Sequence, residues 1–286
     1  METSSCPLCG DDRAHFFRRA ACPRRGITEE YTYVRCSGCT LVRLDPFPTA
    51  GSLDACYDTD YESEWGSQRG LKQRVENLLV KRLPRKPPGR LLDVGCGTGA
   101  YLFEMERLGW DVTGVDRYAT QFSHRAIHPA VRQADLLDAG LPGESFDVVT
   151  LWWVIEHLPD PLAVLREVRR VLKPSGAVVL ATCGIDSWEA RVFGSFWHHL
   201  LPPEHVCHFS PATLGRALSA SGFTPGRVRH VPLTASVVGS LNGWLRHKGL
   251  AKPLQSPFAA ALGAPLEAFA AAARRSGLFV ISGTPS

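Results

Sequence analysis

The stretch LLDVGCGTGAYLFEMERLGWDVTGVDRY, residues 91–118, decides the fold of this chain. An apolar strand runs into the alternating glycines Gly95, Gly97 and Gly99. A helical stretch follows them, and a second apolar run ends at Asp116. Glycine lets a ligand approach where a Cβ would otherwise stand, and the next helix offers free N–H groups at its start. Because an acid about 20 residues on suits the two hydroxyls of a ribose, the stretch predicts a nucleoside site at a strand-to-helix turn.

Strands and helices alternate from Arg90 onward. Strands are expected at 91–95, 112–116, 146–153 and 177–182, and helices at 99–108, 119–126, 161–172 and 211–221. Strands that are separated by helices of this length pair in parallel through crossovers. The fold class is therefore α/β. Ahead of the first strand, residues 71–83 repeat apolar side chains with the period of an amphipathic helix.

The spacing of the glycines distinguishes this turn from a pyrophosphate-binding one. The pyrophosphate fingerprint reads G-x-G-x-x-G, whereas this turn reads G-C-G-T-G and has Asp93 in the strand before it. With LLDVGCGTG the sequence resembles the class I S-adenosylmethionine-dependent methyltransferases, whose first motif is [VIL]-[LV]-[DE]-[VIL]-G-x-G-x-G. FDVVTLWWVIEHLPDP (146–161) and VLKPSGAVVLAT (171–182) are similar to later motifs of that family, in the same order. The resemblance covers about residues 90–230.

The resemblance implies a Rossmann-like seven-stranded methyltransferase sheet and S-adenosyl-L-methionine as the cofactor. In the family, an acid at the position of Asp116 holds the ribose hydroxyls, and one at the position of Asp135 contacts the adenine amino group. Asp93 and the backbone of Gly95, Gly97 and Gly99 would line the amino-acid end. Trp152, or its neighbour Trp153, would offer an aromatic face to the sulfonium or the adenine, with a buried strand tryptophan as the alternative.

Four of the nine cysteines form two C-x-x-C pairs near the N-terminus, Cys6 with Cys9 and Cys36 with Cys39. Such paired knuckles are typical of a zinc ribbon, because each places two thiolates on one edge of a tetrahedron. Four thiolates close the coordination sphere, so we expect a structural Zn²⁺ that folds a module too small for an apolar core. A redox dithiol is the alternative interpretation.

The sequence predicts three regions. Residues 1–45 form the zinc ribbon, 46–89 a connector and helix that cover the cofactor cleft, and 90–286 the cofactor-binding domain. Within that domain, the aromatic and histidine-rich insert 184–209 is expected to be a substrate lid. The Ala- and Leu-rich segment 231–275 is expected to be a packed helix pair, with an interfacial helix on a membrane or partner as the alternative.

Composition excludes several classes of protein. The chain has 286 residues, 44% of them hydrophobic, which fits a folded globular protein. Its formal net charge of +4 is too small to attract a polyanion such as a nucleic acid by charge alone. It has neither a run of about 20 apolar residues nor a hydrophobic leader at its start. We therefore expect a cytoplasmic protein, and the oligomeric state is not readable.

His157 and His205 are the candidate general bases. Glu156 and His157 follow the fourth strand, in the crevice where open α/β sheets bind ligands, and an imidazole has an ordinary pKa near 6.5. His205 lies in the insert, in a stretch that resembles the border of the acceptor site in related enzymes. For both residues a purely structural role is the alternative.

The predicted function is methyl transfer to an O, N or C nucleophile of a small biosynthetic intermediate, such as a secondary metabolite or a sugar. An RNA methyltransferase that uses the ribbon for recognition is the alternative, because the ribbon carries several arginines. Its acids dilute that charge. A non-catalytic module that keeps the fold as a scaffold is a third hypothesis, which the intact glycine turn and Asp116 disfavour.

Overall fold

Two sheets organise the chain in the computed structural model, which describes residues 5–22, 27–56, 80–81, 83, 88–119, 127–232, 234–250 and 257–286. The strands are β1 (Ala14–Cys22), β2 (Ile27–Cys36), β3 (Val42–Leu44), β4 (Arg90–Val94), β5 (Asp111–Val115), β6 (Val131–Arg132), β7 (Phe146–Trp152), β8 (Leu172–Cys183), β9 (Cys207–His208), β10 (Phe223–Val231) and β11 (Leu278–Pro285). The helices are α1 (Ala50–Asp54), α2 (Ala100–Arg107), α3 (Pro161–Val171), α4 (Trp188–Phe193), α5 (Pro211–Ala220), α6 (Thr234–His247) and α7 (Pro257–Ala272).

The larger sheet has seven strands in the order β10-β11-β8-β7-β4-β5-β6. Strands β8, β7, β4, β5 and β6 run parallel. At one side β11 is added antiparallel to β8, and β10 pairs antiparallel with β11, so that β10 runs in the same direction as the five parallel strands. The predicted α/β fold with a Rossmann-like seven-stranded sheet is confirmed. The central strand β4 is covered on both faces, so its consecutive Leu91 and Leu92 are both fully buried.

The helices begin where the sequence supplies caps. The Asp160 carboxylate accepts a hydrogen bond from the Ala163 N–H at 3.0 Å, and Pro161 follows as the first residue of α3. Buried Val164, Leu165 and Val168 then follow at helical spacing and pack this helix on the sheet. Most of each of the expected helices at 71–83 and 119–126 lies outside the described residues.

The smaller sheet joins the N-terminal region to the body of the protein. Its order is β1-β2-β3-β9, and β9 comes from the insert at 184–209. Val42 pairs with His208, and Arg43 pairs with Cys207. Buried side chains from both sheets share one core cluster, which includes Tyr33 of β2 and Val149 of β7, and a second cluster lies on the other face of the larger sheet. The N-terminal strands therefore pack against the larger sheet through a shared core.

The insert at 184–209 lies differently from the expected lid. All residues from 199 to 209 are buried, and its backbone bridges two elements, because the Val206 N–H donates to the Glu156 carbonyl and the Val206 carbonyl accepts from the Leu44 N–H, each at 2.9 Å. Its aromatic and histidine side chains therefore reflect interior packing. The segment 231–275 contains the helices α6 and α7, which pack on one another.

None of the helices in the described ranges has the length and apolar character needed to cross a bilayer.

Candidate functional site

The glycine turn after β4 has the conformation that its sequence predicts. Gly95 has φ of +68°, and a Cβ at this position would collide with the Val154 side chain. Gly99 has φ of +80° and precedes the first residue of α2. An L-residue at Gly95 would therefore be strained in its backbone and would clash with the loop after β7.

Asp116 is fixed at the end of β5 by the same turn. One carboxylate oxygen accepts the Gly97 N–H at 2.8 Å, and the other accepts the Tyr118 N–H at 2.7 Å. Burial raises the pKa of Asp116, and these two N–H groups act against the rise by favouring the carboxylate. A carboxylate held in this way keeps lone pairs for two further donors, as the hydroxyls of a ribose require.

A cavity of about 650 Å³ lies at this edge of the sheet. Of the predicted site residues, Gly95, Asp116, Asp135 and His157 line it. This volume is in the range of small-molecule and cofactor sites. The glycine turn, the two acids that were predicted to contact the cofactor and one candidate base therefore share one cavity.

The other predicted cofactor residues lie behind the cavity wall. Asp93 is buried and accepts a hydrogen bond from the Thr150 hydroxyl at 2.6 Å, and burial raises its pKa to about 6. Gly97 and Gly99 shape the turn through their backbone and do not line the cavity.

Trp152 requires a correction. It is the last residue of β7 and points into the core, where its ring meets Tyr101 edge-on at 5.7 Å. Trp153 lines the cavity instead. Successive side chains of a strand point to opposite faces, so the two tryptophans cannot share a side, and the sequence gives no signal for which one faces the ligand. The backbone of Trp153 has φ of +56°, an unusual conformation for a bulky residue that re-aims the chain at the strand end.

The connector supplies one wall that sequence reasoning did not name by residue. Pro48 and Leu53 line the cavity. Asp54, at the end of α1, accepts a hydrogen bond from the Tyr118 hydroxyl at 2.7 Å and pairs with Arg117 at 3.1 Å. Arg117 also pairs with Asp135 at 3.6 Å. A charged network therefore holds α1 against the acids of the cavity.

His157 and His205 are brought together although 48 positions separate them in the sequence. Their ring centroids are 4.6 Å apart, and the rings are nearly perpendicular. His157 lines the cavity, whereas His205 is buried behind it, and His205 Nδ1 lies 2.7 Å from the His199 carbonyl oxygen. Burial lowers the pKa of His157 to about 4, against a hydrogen bond to the Glu204 backbone that favours the charged form. Burial also lowers the pKa of His205. Both rings are therefore neutral at pH 7, and a neutral imidazole keeps one nitrogen as an acceptor.

Glu156 lies beside His157 and His205 and forms a three-residue cluster with them. Its side chain is only 1% exposed, and no hydrogen bond of ordinary geometry reaches either carboxylate oxygen. Burial raises its pKa to about 7, although its own backbone N–H and the Thr182 hydroxyl favour the charged form. One ligand atom from each of Glu156, His157 and His205 lies within 4.8 Å of the others. These three residues can exchange protons among themselves or hold a metal ion.

A family model described as a methyltransferase domain matches residues 67–226, more than half of the chain. The chain belongs to this methyltransferase family. The predicted resemblance to S-adenosylmethionine-dependent methyltransferases is confirmed at the level of the family.

The methyltransferase is also similar to curated relatives. A ubiquinone biosynthesis O-methyltransferase of Xanthomonas campestris pv. campestris is 40% identical over 134 residues, which are 43% of this chain and 56% of the relative. The same enzyme of Cereibacter sphaeroides is 37% identical over 117 residues, 38% of this chain and 47% of the relative. The chain thus spans about half the length of these relatives.

Solved structures agree with the fold of the methyltransferase. The [4+2]-cyclase SpnF matches with a TM-score of 0.55 at 22% identity and covers 84% of this chain and 98% of its own. An S-adenosylmethionine-dependent methyltransferase from Mesorhizobium loti matches with a TM-score of 0.51 at 20% identity and covers 75% of this chain and 99% of its own. At these identities the likeness supports the fold alone.

The four predicted metal-ligating cysteines of the methyltransferase lie together. The Sγ atoms of Cys6 and Cys39 are 3.5 Å apart, as are those of Cys9 and Cys36, and all four lie within 4.8 Å of one another. Four thiolates at about 2.3 Å from a tetrahedral Zn²⁺ would be about 3.8 Å apart. The observed spacing therefore fits Zn²⁺. Arg216 connects the second cysteine pair to the body of the protein, because its guanidinium donates to the Cys39 carbonyl at 3.3 Å.

Proposed function

We propose that this protein is an S-adenosyl-L-methionine-dependent methyltransferase that methylates a hydroxyl oxygen of a small biosynthetic intermediate. One observation carries the proposal: the fixed carboxylate of Asp116 and the imidazole of His157 line the same cavity. Oxygen is preferred over nitrogen or carbon as the acceptor because the curated relatives are named O-methyltransferases and a neutral imidazole faces the cavity, as an acceptor that must lose a proton requires.

The residues present fit the cofactor. Asp116 would hold the ribose hydroxyls, Asp135 would face the adenine, and the Gly95 backbone would allow close approach at the turn. Trp153 would offer its ring to the cationic group, since aromatic faces attract cations. When bound, S-adenosyl-L-methionine supplies an electrophilic methyl group on a sulfonium.

His157 is the residue that would take the proton of the acceptor. Because one ring N–H is committed to the Glu204 backbone, the other nitrogen carries the lone pair. His205 would position the ring of His157 from behind, at 4.6 Å between centroids. These roles need no movement of the buried insert.

Zn²⁺ bound by Cys6, Cys9, Cys36 and Cys39 would be structural. All four positions around the ion would be filled by sulfur, so none is left for a substrate. The knuckle lies at the start of β1 and the end of β2, where the metal would fix the turns that carry the smaller sheet.

The first test is binding of S-adenosyl-L-methionine and of its demethylated product by calorimetry. We expect wild-type protein to bind both, and Asp116→Ala to lose roughly tenfold to a hundredfold in affinity, because hydrogen bonds to a charged group contribute about 1.5–3 kcal/mol. Asp111→Asn is the matched control: it lies on the same strand, and its carboxylate is 72% exposed. A folded wild-type protein that binds neither ligand would refute the proposal.

The second test uses a labelled methyl donor with a panel of phenols, sugars, amines and bulk RNA. We expect label in a hydroxyl compound, with kcat of His157→Gln reduced by roughly 10²–10⁴-fold and donor affinity unchanged. Label in RNA would support the alternative acceptor. A rate that depends on an added divalent ion and vanishes on its chelation would assign Glu156, His157 and His205 to metal binding instead of proton transfer.

A further inference from the structure

The helix pair α6–α7 is anchored to the body of the protein by buried polar side chains. The Trp188 Nε1–H donates to the carboxylate of Glu267, on α7, at 3.1 Å. The hydroxyl of Ser240, on α6, accepts from the His198 N–H at 2.9 Å. Glu267 and Ser240 are both fully buried, so one side of the pair is fixed in place.

The opposite side of α7 is apolar and exposed. Leu266 is 47% exposed and Phe269 is 72% exposed, whereas Glu267 and Ala270 on the packed side are buried. Residues three apart lie on the same face of a helix, so Leu266 and Phe269 form one outward face. Exposed large apolar side chains placed together mark an interaction surface.

The charge of this region has one sign. From Val231 to the C-terminus the sequence has five Lys and Arg residues and a single acid, Glu267. Because that acid is buried, the surface of the region carries positive charge, with Arg274 and Arg275 exposed immediately after α7. Two acids lie near the pair. Glu189, which accepts a hydrogen bond from the Ser236 hydroxyl of α6, is buried, whereas Asp186, in the loop before α4, is exposed and lies near His230 and Arg274.

Exposed apolar and exposed basic side chains also occur together near the end of α6. Trp244 is 40% exposed near the end of α6, and Leu250 is 56% exposed just beyond it. Arg246 and Lys248 are exposed between them. Aromatic and aliphatic side chains that alternate with basic ones are the composition of helices that lie in a lipid–water interface.

We infer that the α6–α7 pair is a membrane-docking surface that binds anionic lipid headgroups, with Leu266 and Phe269 entering the interface and Arg274 and Arg275 contacting the phosphates. An anionic bilayer complements both the apolar and the positive character of the surface. A second copy of the chain does not, since a two-fold contact would place the arginines of one copy against those of the other. The inference does not depend on the proposed methyl transfer.

The test is co-sedimentation of the full-length protein with vesicles of phosphatidylcholine alone and of phosphatidylcholine mixed with phosphatidylglycerol. We expect binding to the mixed vesicles, weakened by added salt because the basic contribution is screened. The variant Phe269→Glu should lose binding to background. The double variant Arg274→Gln/Arg275→Gln should lose about thirtyfold in vesicle affinity, since each basic residue near an anionic surface contributes about 1 kcal/mol.

Matched controls separate the surface from general stickiness. Phe16→Glu changes a 63% exposed aromatic on β1, and Arg107→Gln changes an exposed arginine at the end of α2. Both should bind as wild type, and all variants should melt at similar temperatures because every substituted side chain is exposed. Equal binding by Phe269→Glu and Phe16→Glu would overturn the inference. A concentration-dependent dimer that Phe269→Glu abolishes, without vesicle binding, would assign the face to a second copy and also overturn it.

Discussion

The phenolic oxygen of Tyr33 lies 3.1 Å from the backbone carbonyl oxygen of His205. The same hydroxyl lies 2.7 Å from the Leu200 carbonyl oxygen, and its side chain is fully buried. Tyr33 is on β2, in the N-terminal sheet, so one side chain connects that sheet to the histidine pair at the cavity. The position of His205 therefore depends on the folding of the N-terminal region.

Removal of this hydroxyl should affect stability and catalysis together. In Tyr33→Phe, two buried carbonyls lose a donor, which should cost about 1–3 kcal/mol of the free energy of unfolding. We expect kcat to fall while the affinity for S-adenosyl-L-methionine is unchanged, because Asp116 is held by the Gly97 and Tyr118 N–H groups and not by Tyr33. Chemical denaturation measures the free energy of unfolding, calorimetry measures the affinity for S-adenosyl-L-methionine, and transfer of the labelled methyl group measures kcat.

Tyr31→Phe is the control for this substitution. Tyr31 is on the same strand and only half-buried, so its hydroxyl should contribute little to stability. If Tyr33→Phe and Tyr31→Phe had the same unfolding midpoint and the same kcat, the hydrogen bonds of the Tyr33 hydroxyl would contribute neither to stability nor to catalysis.

Loss of the metal at the four-cysteine site should destabilise the N-terminal sheet, which Tyr33 connects to His205. Purified protein should contain one Zn²⁺ per chain by elemental analysis, and Cys9→Ser should abolish it. The unfolding temperature should fall, because the ion closes the turns that hold β1 and β2. Cys22→Ala, a change of a buried cysteine in the same sheet but outside the cluster, should keep the metal. Full zinc content in Cys9→Ser, or a stable metal-free wild type, would contradict the structural role.

The parts of the fold that depend on local pattern could be predicted from the sequence. Hydrophobic runs and the glycine turn define β4, α2 and β5, and a cap with a following proline defines the start of α3. These signals are local because strand and helix periods and caps involve residues a few positions apart.

The parts that depend on distant pairing could not be predicted. Nothing within the insert at 184–209 indicates that two of its residues pair with β3, since β9 is only Cys207–His208. The aromatic and histidine content that suggested a lid is explained by burial between two sheets. Which of Trp152 and Trp153 faces the cavity depends on the backbone conformation at the end of β7, where Trp153 has φ of +56°. The hydrophobic pattern of the sequence does not determine that conformation.

Acid should destabilise the folded protein through its buried histidines. Burial lowers the pKa of His208 to about 3, from an ordinary 6.5. Its contribution to stability is fully present above pH 6.5 and is lost as the pH falls towards 3, at about 1.4 kcal/mol for each pH unit. Glu156 acts in the opposite direction: its pKa is raised to about 7 by burial, so its contribution is present at low pH and is lost as the pH rises through 7.

His208→Phe isolates the histidine effect. The ring of His208 packs against Tyr33 and Trp197, with centroids 5.1 and 5.7 Å away, and phenylalanine keeps a ring without a titrating group. Denaturation from pH 4 to 7.5 should give a steeper fall in stability for wild type than for the variant. Zinc release at low pH is common to both proteins and cancels in the difference. Parallel curves would show that His208 does not titrate as a buried neutral group.

Two glycine-to-alanine substitutions should change the protein in opposite directions. At Gly95, a Cβ meets the Val154 side chain and the backbone has φ of +68°. Gly95→Ala should therefore deform the turn whose Gly97 N–H holds Asp116 and lower the affinity for S-adenosyl-L-methionine at least tenfold. At Gly215, inside α5, a Cβ meets nothing within 4 Å, and alanine should stabilise the helix by about 0.5–1 kcal/mol. Calorimetry and denaturation of both variants measure this contrast. Unchanged donor affinity in Gly95→Ala would mean that the turn does not form the donor site, whatever the stability of the variant.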